Sequence, residues 1–150
     1  MGGDIKEFLD GLLRYAEHLP GDKEIPFEIL VLRGHLLIED ELREIVKAKF
    51  VQHDAYDLQQ TKYSSLLRLA QALYGDAVPE WKWNAAQEIN VIRNSIAHRL
   101  KDETIEPRLN RLFRTYRENY DTFAYTEKEP LRKLAYCLSD VHVSFLKIRT

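Results

Sequence analysis

The amino-acid sequence predicts an all-α fold, an up-and-down helical bundle with additional terminal helices. Apolar residues recur at intervals of three and four along most of the chain, and proline, glycine or short polar runs interrupt them. No stretch shows the two-residue alternation of a strand. The 150 residues, 45% hydrophobic and 31% charged, fit a single folded domain over 1–150.

The first two predicted helices are separated by Pro20-Gly21. The first begins after Asp4 and spans about 15 residues. The second has Pro26 in its first turn and extends to about Val51. Gly34 inside it costs up to about 1 kcal/mol relative to alanine, which a close helix crossing would offset.

The polar stretch from His53 to Gln60 has no helical period and predicts a loop. Thr61 is then expected to cap a third helix that ends at Gly75. The spacing predicts that the core face of this helix consists of Leu66, Leu69, Ala70 and Leu73.

Three further helices complete the predicted bundle. The fourth has Pro79 in its first turn and runs to about Arg99. Pro107 starts the fifth, whose apolar residues are Leu109, Leu112, Phe113 and Tyr116. Thr126 begins a capping-box sequence for the sixth, whose apolar face reaches Ile148. The single cysteine, Cys137, lies on that face and is expected to be a small buried residue.

Charge and composition limit the classes of function. The net charge of −2 argues against a protein that coats nucleic acid by bulk electrostatics, although the segment 93–117 carries a local excess of +4. No apolar stretch approaches the roughly 20 residues of a membrane span, and the first residues lack a signal-peptide pattern. We therefore expect a cytoplasmic protein without membrane contact. The histidines lack metal-ligand spacing, so neither a metal site nor a cofactor is expected.

One segment of the fourth helix, Arg93-Asn94-Ser95-Ile96-Ala97-His98, combines side chains suited to RNA cleavage. Histidine, whose ordinary pKa is near 6.5, can accept a proton from a 2′-hydroxyl or donate one to a leaving 5′-oxygen. Arginine can hold a phosphate and stabilise the charge that builds on it in the transition state. Asn94 is unfavourable inside a helix, which indicates a purpose there, either at a site or in a buried hydrogen bond.

Helical geometry separates the arginine from the histidine. Arg93 and His98 lie about 140° apart around the helix, whereas Asn94 and His98 share a face. A two-fold dimer with the fourth helix along its interface would bring two copies of the segment into one cleft, so we expect a homodimer. The alternative is an ordinary helix C-terminus, where Arg93 and His98 interact with exposed carbonyl groups.

This segment resembles the R-N-x-x-x-H form of the motif of HEPN domains (higher eukaryotes and prokaryotes nucleotide-binding). The order of the surrounding residues is also similar, from Arg33-Gly34-His35 through the turn Tyr74-Gly75, and the resemblance covers about residues 29–100. It implies a helical bundle that dimerises and, in many members, a metal-independent ribonuclease of toxin-antitoxin or phage-defence systems. Arg93, Asn94 and His98 are the positions to which the catalytic role would transfer.

Four further residues are candidates for substrate binding. Glu39 would orient the histidine, or else belong to a solvated acidic run, and His35 would line a cleft or serve packing. Arg99 and Lys101 belong to the local basic excess.

The leading hypothesis is an endoribonuclease with RNA as substrate and an antitoxin or other protein as a further partner. The alternative is a non-catalytic helical module that binds nucleotide, RNA or a protein. A third hypothesis is a purely structural assembly domain.

Overall fold

The computed structural model describes residues 25–98, 105–120 and 130–149, and within these ranges the chain is all-α, as predicted. The predicted first helix and the capping box at Thr126 lie outside the described residues. The described α-helices are α1 (Ile25–Lys47), α2 (Tyr63–Tyr74), α3 (Glu80–Ala97), α4 (Ile105–Asn119) and α5 (Pro130–Arg149).

The longest helix, α1, packs most extensively against α5. Gly34 lies at their crossing, where an added Cβ would be only 2.6 Å from Cδ1 of Leu138. The predicted close crossing is confirmed, because any larger residue at this position would displace a side chain that is fully buried. The helix ends at Lys47, earlier than the predicted Val51.

The connection between α1 and α2 leads back along the bundle. The predicted loop contains two short 3₁₀ turns, His53–Ala55 and Leu58–Gln60, and the Arg43 side chain donates a hydrogen bond to the Leu58 carbonyl at 3.0 Å. At the start of α2, Tyr63 stacks on His35, and at its end the Tyr74 hydroxyl donates to the Ile45 carbonyl. The two helices therefore run in the same direction.

One prediction for α2 is wrong, and the predicted core face is confirmed only at Leu66 and Ala70. Its N-cap residue is Lys62 rather than Thr61, and no side chain caps the first turn. Leu69 and Leu73 are 39% and 43% exposed, because α2 instead packs through the adjacent face. That face consists of Tyr63, Leu66, Leu67 and Ala70. Gly75 ends the helix as predicted, with φ of +49°.

Helix α3 contacts each of the other four described helices. It begins at Glu80, with Pro79 as its N-cap residue. Trp83, near its start, donates a hydrogen bond to the Gly75 carbonyl and stacks on Phe145 at 5.0 Å. Because the start of α3 lies beside the end of α2, the two helices run in opposite directions.

The last two described helices, α4 and α5, complete the hydrophobic core. α4 begins at Ile105, with Pro107 in its first turn, and its predicted apolar face is buried. Cys137 on α5 is fully buried, as predicted. No helix among residues 25–98, 105–120 and 130–149 combines the length and apolar character that crossing a bilayer requires.

Candidate functional site

The motif residues occupy the last two turns of α3 and differ in exposure. Arg93 is half-buried, while Asn94 and His98 are exposed. A Nη1 atom of Arg93 lies 3.4 Å from Oδ1 of Asn94, a long contact for a charge-assisted hydrogen bond. The guanidinium therefore keeps most of its five N–H donors for another acceptor.

Arg93 opens onto a cavity of about 240 Å³ between α1, the start of α2 and the second half of α3. Three segments that are distant in sequence meet there. The residues that line the cavity are His35, Glu39, Lys62, Tyr63, Ser64, Asn90, Arg93 and Asn94. Because every one of these side chains carries a polar group, the cavity suits a polar ligand.

The structure brings together four of the residues predicted from sequence and leaves one at the edge. His35, Glu39, Arg93 and Asn94 all line the cavity. His98 is not among the lining residues; it is the C-cap of α3, and its backbone N–H donates to the Asn94 carbonyl at 3.0 Å. It thus lies one helical turn beyond the cavity wall. Arg99 and Lys101 fall outside the described residues.

His35 forms the inner wall of the cavity and is held on two sides. Its Nε2 lies 2.9 Å from Oδ1 of Asn90, and its ring stacks on Tyr63 at 4.1 Å and 20°. The residue is only 6% exposed. Burial lowers the pKa of His35; the hydrogen bond to Asn90 opposes that shift, and the positive charge of Arg93 adds to it.

The stacking partner of His35 is itself fixed. The Tyr63 hydroxyl donates a hydrogen bond to the Ala86 carbonyl at 2.9 Å, and burial raises the pKa of the phenol above its usual value. A neutral tyrosine of this kind holds its ring in place, because its hydroxyl already has a hydrogen-bond partner inside the protein. The position of the His35 ring therefore depends on both α2 and α3.

Sequence reasoning missed the contribution of Lys62, Tyr63, Ser64 and Asn90. One signal was available for Asn90, since it precedes Arg93 and Asn94 by three and four residues and so shares their side of the helix. No comparable signal existed for residues 62–64, because only the returning connection brings the start of α2 to this point.

The charged residues of the cavity favour an anion. Lys62 and Arg93 are cationic, and Glu39 is drawn into an ion pair with Arg43 at 3.5 Å. Within the part of the chain that the structure describes, no group of three or more His, Cys, Asp or Glu residues is arranged to hold a metal ion.

A larger cavity, of about 310 Å³, follows the two 3₁₀ turns and contains no motif residue. Its lining includes Arg43, Lys47, His53, Asp54 and Asp57. The cations there are balanced by carboxylates, so volume alone does not mark it as the anion site.

A second polar cluster lies near the start of α3 and differs from the cavity. The Lys82 ammonium lies 3.3 Å from the Asp140 carboxylate and donates to the Ser144 hydroxyl at 2.8 Å. Tyr116 and Tyr120 also donate to Asp140, at 2.9 and 3.3 Å. We call these five residues the Lys82 cluster; its polar groups bond to one another.

Comparisons of the chain with protein-family models, curated proteins and solved structures give no match. The resemblance to HEPN domains is carried by Arg93, Asn94 and His98 in the sequence. In the structure, Arg93 and Asn94 line the polar cavity, and His98 lies one helical turn beyond it.

Proposed function

We propose that the chain is a metal-independent endoribonuclease of HEPN type whose site is the cavity around Arg93. The observation that supports this most directly is the half-buried Arg93 at the wall of an open polar cavity, where its guanidinium makes one long contact to Asn94. An arginine held in this way is prepared for a phosphate, because its fork of N–H donors matches two phosphate oxygens.

The size of the cavity supports a small anionic group. Its volume of about 240 Å³ lies below the roughly 300–1,000 Å³ of drug-sized ligand pockets. A phosphodiester with its adjoining ribose is a suitable occupant, with the rest of the RNA strand outside. Lys62 and Arg93 would contact the phosphate, and Ser64 and Asn94 offer hydrogen bonds to the sugar or to phosphate oxygens.

The proposed reaction is transesterification. The 2′-hydroxyl loses its proton and its oxygen forms a bond to phosphorus while the bond from phosphorus to the 5′-oxygen breaks. The leaving oxygen takes up a proton, and the products are a 2′,3′-cyclic phosphate and a free 5′-hydroxyl. His98 transfers one of these protons, and Arg93 stabilises the charge on the non-bridging oxygens.

The exposed position of His98 supports a homodimer. Since this imidazole lies beyond the cavity wall of its own chain, a two-fold contact around the last turn of α3 would bring the histidine of a second copy to the cavity. Arg93 and His98 of different chains would then act on one phosphate. This arrangement also brings an arginine and a histidine together at one point, which a single helix does not do because Arg93 and His98 lie about 140° apart around it.

The test is cleavage of single-stranded RNA in the presence of excess chelator. We expect activity in the wild type and a loss of about 10²–10⁴-fold in Arg93→Ala and in His98→Ala, since each removes a transition-state contact. Thermal unfolding of both variants should resemble that of the wild type because both side chains lie at the surface of the site. Unchanged cleavage in either variant contradicts the proposal.

Mixing the two inactive variants tests the shared site. In a dimer that combines Arg93 of one chain with His98 of the other, a one-to-one mixture regains about one quarter of the wild-type activity. No recovery after subunit exchange would contradict the two-chain arrangement.

Arg68→Ala is the control for Arg93→Ala in the cleavage test, because Arg68 is an exposed arginine on α2 that does not line the cavity.

A further inference from the structure

The transesterification needs two proton transfers, and the cavity contains a second imidazole. His35 lines the same wall as Arg93 and Asn94, although it lies 58 residues before Arg93 in the chain. A base that takes the 2′-proton must be neutral, whereas an acid that protonates the 5′-oxygen must carry a proton. One histidine cannot hold both states in the same step.

We propose that His35 is the general base of the reaction and that His98 is the general acid. This inference rests on the proposed function and assigns the first proton transfer to a specific atom. In the reaction, Nδ1 of His35 accepts the 2′-proton as the 2′-oxygen attacks phosphorus. His98 donates its proton to the 5′-oxygen as that bond breaks, and both rings then exchange protons with water.

The hydrogen bond to Asn90 selects the nitrogen that can act. Because Oδ1 of Asn90 is an acceptor, the Nε2 atom that faces it at 2.9 Å carries the ring proton. The neutral ring therefore has its lone pair on Nδ1. Among the residues that the structure describes, none forms a hydrogen bond with this atom.

The surroundings of His35 favour the neutral ring and fix its orientation. The charged and titratable groups that face it are Glu39 on its own helix, Lys62 and Tyr63 on α2, and Arg93 on α3. Burial and the charge of Arg93 lower the pKa of His35, so that the ring stays neutral near pH 7. His98 lies in solvent at the C-terminal end of α3, one helical turn beyond the cavity wall.

A pair of RNA substrates separates the acid from the base. Once the bond that the wild type cleaves in a single-stranded oligoribonucleotide has been mapped, the same oligonucleotide is made with sulfur in place of the 5′-oxygen at that bond. A thiolate leaves without being protonated, so this substrate needs no general acid. His98→Ala should be about 10²-fold or more impaired on the oxygen substrate and close to wild type on the sulfur substrate, whereas His35→Gln should be impaired on both.

The pH dependence provides a readout that a packing role would not move. Asn90→Asp places a carboxylate against Nε2 of His35, which should raise the pKa of the ring and shift the acidic limb of the pH–rate profile to higher pH. His142→Gln is the control, because burial also lowers the pKa of the half-buried His142, which does not line the cavity. It should leave the profile unchanged.

Several outcomes would overturn the assignment. Cleavage by His35→Gln within a few-fold of the wild type would remove His35 from the reaction. Recovery of cleavage by this variant on the sulfur substrate would show that His35 acts as the general acid. If His35→Gln fails to fold, an unshifted acidic limb of the pH–rate profile in Asn90→Asp would likewise remove His35 from the reaction. Absence of cleavage by the wild type would instead refute the proposed function itself, and the assignment with it.

Discussion

The two ends of α3 each place a cation among polar and aromatic side chains, but only one end leaves that cation available. At the start of the helix, Lys82 is surrounded by Asp140, Ser144 and two tyrosines, and its side chain is 12% exposed. Near the end, Arg93 faces an open cavity and touches Asn94 at 3.4 Å. The Lys82 cluster is satisfied from within the protein, whereas Arg93 keeps N–H donors that water or a ligand can use.

This difference separates a cluster that stabilises the fold from a cavity whose cation is available to a ligand. A buried charge without partners costs several kcal/mol, so a protein that buries Lys82 must supply acceptors for it. A cation at the wall of an open cavity is solvated and needs none. Replacing Lys82 or its partner should therefore change stability, and replacing Arg93 should change activity.

The largest expected effect on stability is at the Lys82 cluster. Asp140→Leu should lower the free energy of unfolding by about 3–5 kcal/mol, because it leaves the Lys82 ammonium buried without its carboxylate. The double variant Lys82→Met/Asp140→Leu should recover most of that loss, since both charges are then gone. Urea denaturation provides the measurement.

Arg93→Ala serves as the comparison at the other end of the helix. It should change the free energy of unfolding by no more than about 0.5 kcal/mol, as is usual for surface substitutions. A loss of unfolding free energy below about 1 kcal/mol in Asp140→Leu, or an equal loss in Arg93→Ala, would contradict the distinction between the Lys82 cluster and the Arg93 cavity.

A smaller effect concerns the pH dependence of stability. Burial lowers the pKa of His35 in the folded chain below its ordinary value of 6.5, so the unfolded chain binds a proton more readily. The free energy of unfolding should therefore fall as the pH drops below about 6.5, by up to about 1.4 kcal/mol for each pH unit over which only the unfolded chain binds the proton.

The difference between wild type and His35→Gln at each pH isolates this contribution. The subtraction is needed because Glu41 acts in the opposite sense: burial raises its pKa, so its contribution to stability grows as the pH falls towards 4.5. A difference that stays constant from pH 7.5 to pH 5 would contradict the burial of His35.

The helices were predictable from sequence, because hydrophobic periodicity is a local property. The apolar faces of α4 and α5, the burial of Cys137 and the close crossing at Gly34 all follow from spacing and residue size. The orientation of α2 did not follow. Leu69 and Leu73 fit a helical period as well as Leu66 does, and only the packing partners decide which face is buried.

The candidate site was predictable in part for the same reason. Arg93 and Asn94 lie next to each other in the motif, and Asn90 shares their side of α3. The pairing of His35 with Asn90 depends on the crossing of α1 and α3, and the placement of Tyr63 depends on the returning connection. Such contacts join residues that are distant in sequence, and a single chain carries no local pattern that reports them.

The claim that the Arg93 cavity is the ligand site is tested most directly by NMR titration with a dinucleotide that lacks the attacking 2′-hydroxyl and so cannot be cleaved. We expect saturable chemical-shift changes at the Arg93 guanidinium and the His35 imidazole, with the Lys82 ammonium and Tyr116 unaffected. Shifts confined to the Lys82 cluster, or no shifts at millimolar dinucleotide, would contradict the account.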